Sequence, residues 1–290
     1  MQLNSSKRVA FLVLGALAAL TLGYATLIEP RYPRLRKITI PLPKLNVGLK
    51  DLSILHISDL HMKGREGATV RFVEGLASLY PDIVVLTGDM IGHEAAIEAC
   101  ASLMGKLRAR YGIYAVLGNH EHSSYPFWSA ILGTFKYRIP IDTQAINVAL
   151  RGQGIKVLNN ESSRIEVGDE TIHLVGVDDM FSHADNLAEA MAGVERGGMK
   201  ILLCHSPDIL DEAVAAGFDL VLSGHTHGGQ VRLPLVGALT THTRKPLRPA
   251  SGILHRGQTV MHVSQGLGTS GLPIRFLCPP EATLLQLQQA

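Results

Sequence analysis

Five short apolar runs in this chain each stop at a side chain able to bind a cation. Residues 52–58 run into Asp59-Leu60-His61, and residues 83–87 into Gly88-Asp89. Residues 113–117 run into Gly118-Asn119-His120-Glu121, 200–204 into His205, and 218–222 into Ser223-Gly224-His225-Thr226-His227. Several of the intervals carry helical spacing: Val70, Val73, Leu76 and Leu79 within 66–79, then Ala96, Cys100, Leu103, Met104 and Leu107 within 92–110. Residues 207–216 are a further helix, ended by Gly217. Strand–helix alternation predicts a largely parallel sheet, and such sheets gather their sites outside the carboxyl ends of the strands.

Each polar group alone has an ordinary explanation. An isolated Asp-x-His or Asn-His on a loop is commonly a cap or a surface turn, and a His-x-His pair alone is weak evidence for a metal. Gly224, Gly228 and Gly229 suit turns that side chains forbid. His56 lies inside the first run and reads as a packed core histidine. The combination is harder to dismiss. Asp59, His61, Asp89, Asn119, His120, His205, His225 and His227 all fall at strand ends of one polarity. Their donors are oxygen and imidazole nitrogen without thiolate, a set suited to Mn, Fe, Zn or a related ion. They are too many for one ion and right for two, and a two-ion site clamps the attacking and leaving oxygens of phosphoryl displacement.

The N-terminus adds a second constraint. No charge interrupts Val9 to Ile28, a run of 20 residues. As a helix it would span about 30 Å, the thickness of a bilayer core. It is longer than the apolar core of an ordinary cleaved signal and no clean cleavage site follows, so an uncleaved single-span anchor is expected over residues 1–30, a cleaved signal being the alternative. The basic cluster of Arg31, Arg34, Arg36 and Lys37 outweighs Lys7 and Arg8, which favours an inner-membrane protein with its catalytic domain facing the cytoplasm. Residues 31–50, rich in proline and basic side chains, read as a linker or a stretch lying on the lipid surface, with a short edge strand at 38–40. This span explains much of the mean hydropathy of +0.18. With 27 basic and 25 acidic residues the charge is near balance, which gives no reason to expect a nucleic-acid partner. Cys100, Cys204 and Cys278 are widely spaced and odd in number, hence buried free thiols.

The catalytic domain is expected over residues 51–290. Residues 123–153 read as an amphipathic helical cap beside the site. From 155 the texture becomes antiparallel, with a hairpin turning at Gly168-Asp169. A helix is expected at 184–196, a late strand at 259–263, and a return to the sheet over 273–276 and 282–287.

Asp59-Leu60-His61, Gly88-Asp89, Gly118-Asn119-His120-Glu121, His205-Ser206-Pro207 and Gly224-His225-Thr226-His227 resemble, in order, the five blocks of the calcineurin-like metallophosphoesterases. More narrowly, the apolar N-terminus, the Gly-His-Thr-His-Gly-Gly-Gln block and the late Gly-Leu-Gly-Thr and Pro-Ile-Arg-Phe stretches resemble bacterial membrane-anchored members. These include phosphodiesterases and a UDP-diacylglucosamine pyrophosphatase of lipid A synthesis. The resemblance implies a four-layer α-β-β-α sandwich of two mixed sheets, which amends the parallel-sheet expectation. It implies two divalent metal ions, the first held by Asp59, His61 and His227 and the second by Asn119, His205 and His225, with Asp89 bridging. A hydroxide bridging the ions would attack phosphorus, while His120 donates a hydrogen bond or proton to a phosphate oxygen or the leaving group. Glu121 would orient His120 or pair elsewhere. Asp178 or Asp179 would support a ligand histidine or serve a turn, and Arg275 is a further supporting or substrate-contacting candidate. The implied activity is hydrolysis of a phosphodiester or pyrophosphate, with an amphiphilic, lipid-linked sugar nucleotide as the specific expectation. A general phosphodiesterase or phosphomonoesterase merely tethered to the membrane is the rival, and a metal-stabilised membrane scaffold is the non-enzymatic one.

Overall fold

The structure is a computed structural model that describes residues 5–64, 67–125, 138–244 and 248–290. Two six-stranded mixed sheets make its framework. The first contains β1 (Arg34–Leu42), β2 (Ser53–Ile57), β3 (Ile83–Thr87), β4 (Ile113–Val116), β5 (Lys156–Val157) and the final strand, β12 (Glu281–Gln289). Its order is β1-β12-β2-β3-β4-β5, with β12 parallel to β1 and antiparallel to β2, and the remaining pairs parallel. The second contains β6 (Glu161–Val167), β7 (Glu170–Gly176), β8 (Met199–Leu203), β9 (Leu220–Ser223), β10 (Gly252–Arg256) and β11 (Thr259–Val263). Its order is β10-β11-β9-β8-β7-β6, parallel at the centre and antiparallel at both edges. Within the second sheet the antiparallel texture expected after residue 155 is therefore confined to the two edge hairpins.

The alternation of each strand explains the layering. Ile54, Ile83, Val85 and Leu285 of the first sheet meet Ile172, Leu174, Ile201, Leu203, Leu220 and Leu222 of the second in one buried cluster. The opposite faces bury Leu55, Ile57, Val84 and Leu86 against Val73, Leu76, Cys100, Met104, Ile146 and Leu150, and Val175, Leu202, Val221 and Met261 against Ala190, Ile209 and Ala213. Helices at Gly67–Leu76, Ile97–Met104 and Thr143–Gly152 thus cover the first sheet, and those at Leu187–Ala190 and Leu210–Ala215 the second. All three cysteines are buried thiols outside any disulfide.

Two sequence expectations need correction. Residues 31–50 are more than a linker: β1 runs nine residues rather than three and buries Ile40 and Leu42, because β12 offers a partner to its whole length. The helix expected over 184–196 shortens to Leu187–Ala190, capped by the Asn186 side chain and followed by a run containing Gly193, Gly197 and Gly198. The proposed cap falls partly on 126–137, outside the described residues, while Thr143–Gly152 packs on the outer face of the first sheet. Helix α1 (Ser5–Gly23) continues as one helical run to Arg31, long and apolar enough to cross a membrane by length and composition.

Candidate metal centre

Five neighbouring parallel strands, three in one sheet and two in the other, aim their carboxyl ends at one place. Asp59 and His61 follow β2, Asp89 follows β3, Asn119 and His120 follow β4, His205 follows β8, and His225 and His227 follow β9. Main-chain bonds lash the loops together: His61 N donates to Asp89 O at 2.9 Å, Gly224 N to His205 O at 3.0 Å, and Asp59 N to Gly88 O at 3.0 Å. Asp59, His61, Asp89, His225 and His227 all have positive φ, between 45° and 67°. Aspartate and histidine are among the residues that tolerate this conformation, which costs of order 1–3 kcal/mol each and persists where the surrounding structure dictates it.

The ligand-type atoms form overlapping triads, Asp59–His61–His227, His61–Asp89–His120 and Asp89–His205–His225, each with its atoms within 4.8 Å of one another. Asp89 Oδ2 joins two of them, 3.5 Å from His61 Nε2 and 3.2 Å from His205 Nε2. His61 Nε2 and His227 Nε2 are 2.9 Å apart. Asp59 is fixed by the Ser58 hydroxyl at 2.6 Å and by the His225 N–H. Asp89 Oδ1 accepts the His120 N–H at 2.8 Å, leaving Oδ2 to face the triads.

Two carbonyls decide which imidazole nitrogens are free. His205 Nδ1 lies 2.7 Å from Thr87 O, and His225 Nε2 lies 3.2 Å from His242 O. A carbonyl only accepts, so both nitrogens carry hydrogen. In the neutral rings His205 Nε2 and His225 Nδ1 then present lone pairs to each other at 3.2 Å, an arrangement that calls for a positive charge between them. Asn119 Oδ1 is buried and has no hydrogen-bond partner among the described residues. Burial holds His61 and His227 well below the ordinary histidine value, and His225 at about 3, so these rings are in the neutral, ligating form. Burial also disfavours the charged form of His205, but the Asp89 and Asp59 carboxylates prevail and raise it well above the ordinary value. Burial pushes the Asp59 carboxyl up to about 6. The same negative field attracts a proton or a cation, and the oxygen and nitrogen donors fit divalent ions.

The supporting residues fall differently. Glu121 is fully buried, and its carboxylate accepts four backbone N–H groups, from Asp89, Met90, Ile91 and Gly118. It thus clamps the β3 loop to the β4 loop. Asp178 pairs with His122 at 2.7 Å, while Asp179 accepts Ser182 N–H in the next turn. Arg275 is fully buried; its guanidinium donates to the carbonyls of Gln265, Gly266, Gly268 and Cys278 and lies 3.5 Å from His227 Nδ1. His56 sits between the sheets, bonded to Thr87 Oγ1 at 2.8 Å and 2.9 Å from His262. Sequence reasoning missed Ser58 and the Thr87 and His242 carbonyls, since backbone acceptors leave no sequence signal. It also missed why Gly224 is needed: a Cβ there would collide with Ser58 Oγ and Asp59 Oδ2. A cavity of about 310 Å³ opens beside the centre, lined by Asp89, Asn119, His120, His225 and His227 and by apolar Phe181, Val231, Leu239, Leu272 and Ile274.

Residues 52–229 match the calcineurin-like phosphoesterase family, a span that takes in every strand-end group above. The chain belongs to the calcineurin-like phosphoesterases. A metallophosphoesterase of Aquifex aeolicus is 33% identical over 93% of this chain and 97% of its own length. A bovine transmembrane protein with a metallophosphoesterase domain is 31% identical, over 89% of this chain and 58% of its own length. The UDP-2,3-diacylglucosamine pyrophosphatase LpxG of Chlamydia trachomatis is 28% identical, over 93% of this chain and 94% of its length. This calcineurin-like phosphoesterase is accordingly a metallophosphoesterase-family hydrolase with candidate metal-binding clusters at the strand ends.

Proposed function

We propose that the chain is a membrane-tethered, dinuclear metal-dependent hydrolase that cleaves a phosphodiester or pyrophosphate bond of an amphiphilic substrate. The observation that carries this reading is the convergence of His205 Nε2 and His225 Nδ1, 3.2 Å apart with their other ring nitrogens held on carbonyls, beside a carboxylate oxygen shared with His61. Asp59, His61 and His227 would hold one ion, Asn119, His205 and His225 the other, and Asp89 both. Bound divalent ions supply positive charge to the phosphoryl oxygens and lower the pKa of a coordinated water. The protein supplies the rest. Glu121 fixes the β3 and β4 loops, so the Asp89 carboxylate and the His120 ring keep their mutual placement. His120 stands edge-on to His61 at 4.4 Å between centroids, and its buried Nδ1 has no partner among the described residues. It is the group placed to give a proton or hydrogen bond to a phosphate oxygen or to the departing oxygen.

The apolar half of the cavity wall supports an amphiphilic substrate, and the helical run reaching Arg31 supports tethering to a membrane. Similarity to LpxG supports a lipid-linked sugar nucleotide such as UDP-diacylglucosamine. The basic side chains at 31–37 support an inner-membrane address with the domain on the cytoplasmic side. Residues 1–30 then act as anchor and 31–290 as one folded body. The test is turnover by purified protein and by Asp89→Ala with Mn²⁺, on UDP-diacylglucosamine, a cyclic nucleotide and a chromogenic phosphodiester. Preferential turnover of the lipid by the native protein, abolished in the variant, is expected. Equal activity of the variant would overturn the mechanism, and turnover of the other two alone would overturn the lipid assignment.

A further inference from the structure

Beside the cavity a short hairpin pairs Arg232–Leu233 with Gly237–Ala238. Leu233, Leu235, Val236 and Leu239 are exposed on it, and Leu235 makes no burying contact at all. At its base, Val231 and Leu239 belong to the cavity wall. Solvent-facing leucines at a turn are costly in water, and here they continue an apolar surface that leads to the metal centre.

The other end of that surface is the base of the apolar helix. Ala25 O accepts the Arg275 N–H at 2.9 Å, and the Glu29 carboxylate accepts the N–H groups of Leu277 and Cys278. Tyr24 packs edge-on against Phe276 at 6.4 Å between centroids. Phe276 in turn pairs with the start of the hairpin: its N–H donates to Gln230 O at 3.0 Å, and Arg232 N–H donates to Phe276 O at 2.9 Å. The helix end and the hairpin base are therefore separated by one extended segment. Leu235 lies three residues beyond Arg232, a reach of at most about 10 Å. The uncharged run Val9–Ile28 spans roughly 30 Å, so the bilayer core ends near Ile28. Exposed Arg31 and Arg34 follow, as suits the headgroup level. Four aliphatic side chains fall well short of the ~800 Å² per partner that a stable protein interface buries. They suit the shallow insertion of an interfacial segment.

We propose that the 232–239 hairpin is a second membrane contact, whose apolar tip enters the headgroup layer and seats the mouth of the cavity against the lipid surface. This rests on α1 being a bilayer span. Atoms need not move for substrate to benefit: an amphiphile could present its phosphate to the centre while its chains remain with the lipid.

The test places a fluorophore at Leu235→Cys in the full chain, reconstituted in phosphatidylethanolamine–phosphatidylglycerol vesicles. The three native cysteines are buried, so the label goes to the new thiol. A blue-shifted emission, with loss of intensity when the acyl chains are brominated, is expected. Water-like emission insensitive to bromine overturns the proposal. Quenching that ignores bromine and disappears as protein is diluted among vesicles assigns the tip to a second copy and also overturns it. As a second readout, Leu235→Asp with Val236→Asp should leave turnover of a soluble chromogenic phosphodiester unchanged and slow turnover of a vesicle-embedded ester; equal rates on the embedded ester count against the hairpin. A label that stays in water on a protein active toward the soluble ester sinks the hairpin alone. A label in lipid on an inactive protein sinks the hydrolase reading alone.

Discussion

At the scale of single residues, the centre is held by hydrogen bonds that leave selected atoms bare. Thr87 O and His242 O each take one imidazole hydrogen, and the opposite nitrogens are what remains for a cation. His120 donates its backbone N–H to Asp89 while its ring lines the cavity. His120→Asn should therefore lower kcat by about 10²–10⁴-fold, as expected for loss of a positioned acid, with metal content unchanged. Metal analysis beside steady-state rates checks this, and loss of an ion would make His120 a ligand instead. Glu121→Gln tests the clamp. Replacing one carboxylate oxygen by an amide nitrogen orphans two buried N–H groups, so stability should fall by about 2–6 kcal/mol in urea unfolding. A neutral result would mean that the β3 and β4 loops hold each other without it.

At the scale of elements, the strand ends matter more than the strands. Gly224 follows β9 and lets its loop touch the β2 loop, because any Cβ would strike Ser58 and Asp59. Gly224→Ala should retain native circular dichroism yet weaken metal binding by at least about 10–100-fold, measured by calorimetric titration. Native affinity would show that the β2 loop can yield. The five runs that end in ligand-type residues were legible in the sequence, because each is a short apolar strand and each partner group is a side chain. The nine-residue β1 was not, since its length is set by pairing with β12, nearly 250 positions later. The β10 strand also escaped notice: Gly252–Arg256 owes its order to β11. Arg275 was legible as a residue and not in its use, since its guanidinium serves loop carbonyls beneath His227.

At the scale of the whole molecule, two sheets must pack for one site to exist. Asp59, Asp89 and Asn119 come from the first sheet, His205 and His225 from the second, and the apolar cluster between the sheets sets their separation. Ion binding and folding are thereby linked. Mn²⁺ at about 100 times its Kd should add about 2.7 kcal/mol and raise Tm by about 5–10 °C, with EDTA reversing the shift. An unchanged Tm would mean that the centre binds no ion tightly. The most direct measurement is anomalous diffraction from crystals of the Mn²⁺-loaded protein. Two peaks are expected, one against Asp59, His61 and His227 and one against Asn119, His205 and His225, both touching Asp89. A single peak, or ions bound away from Asp89, would contradict the account.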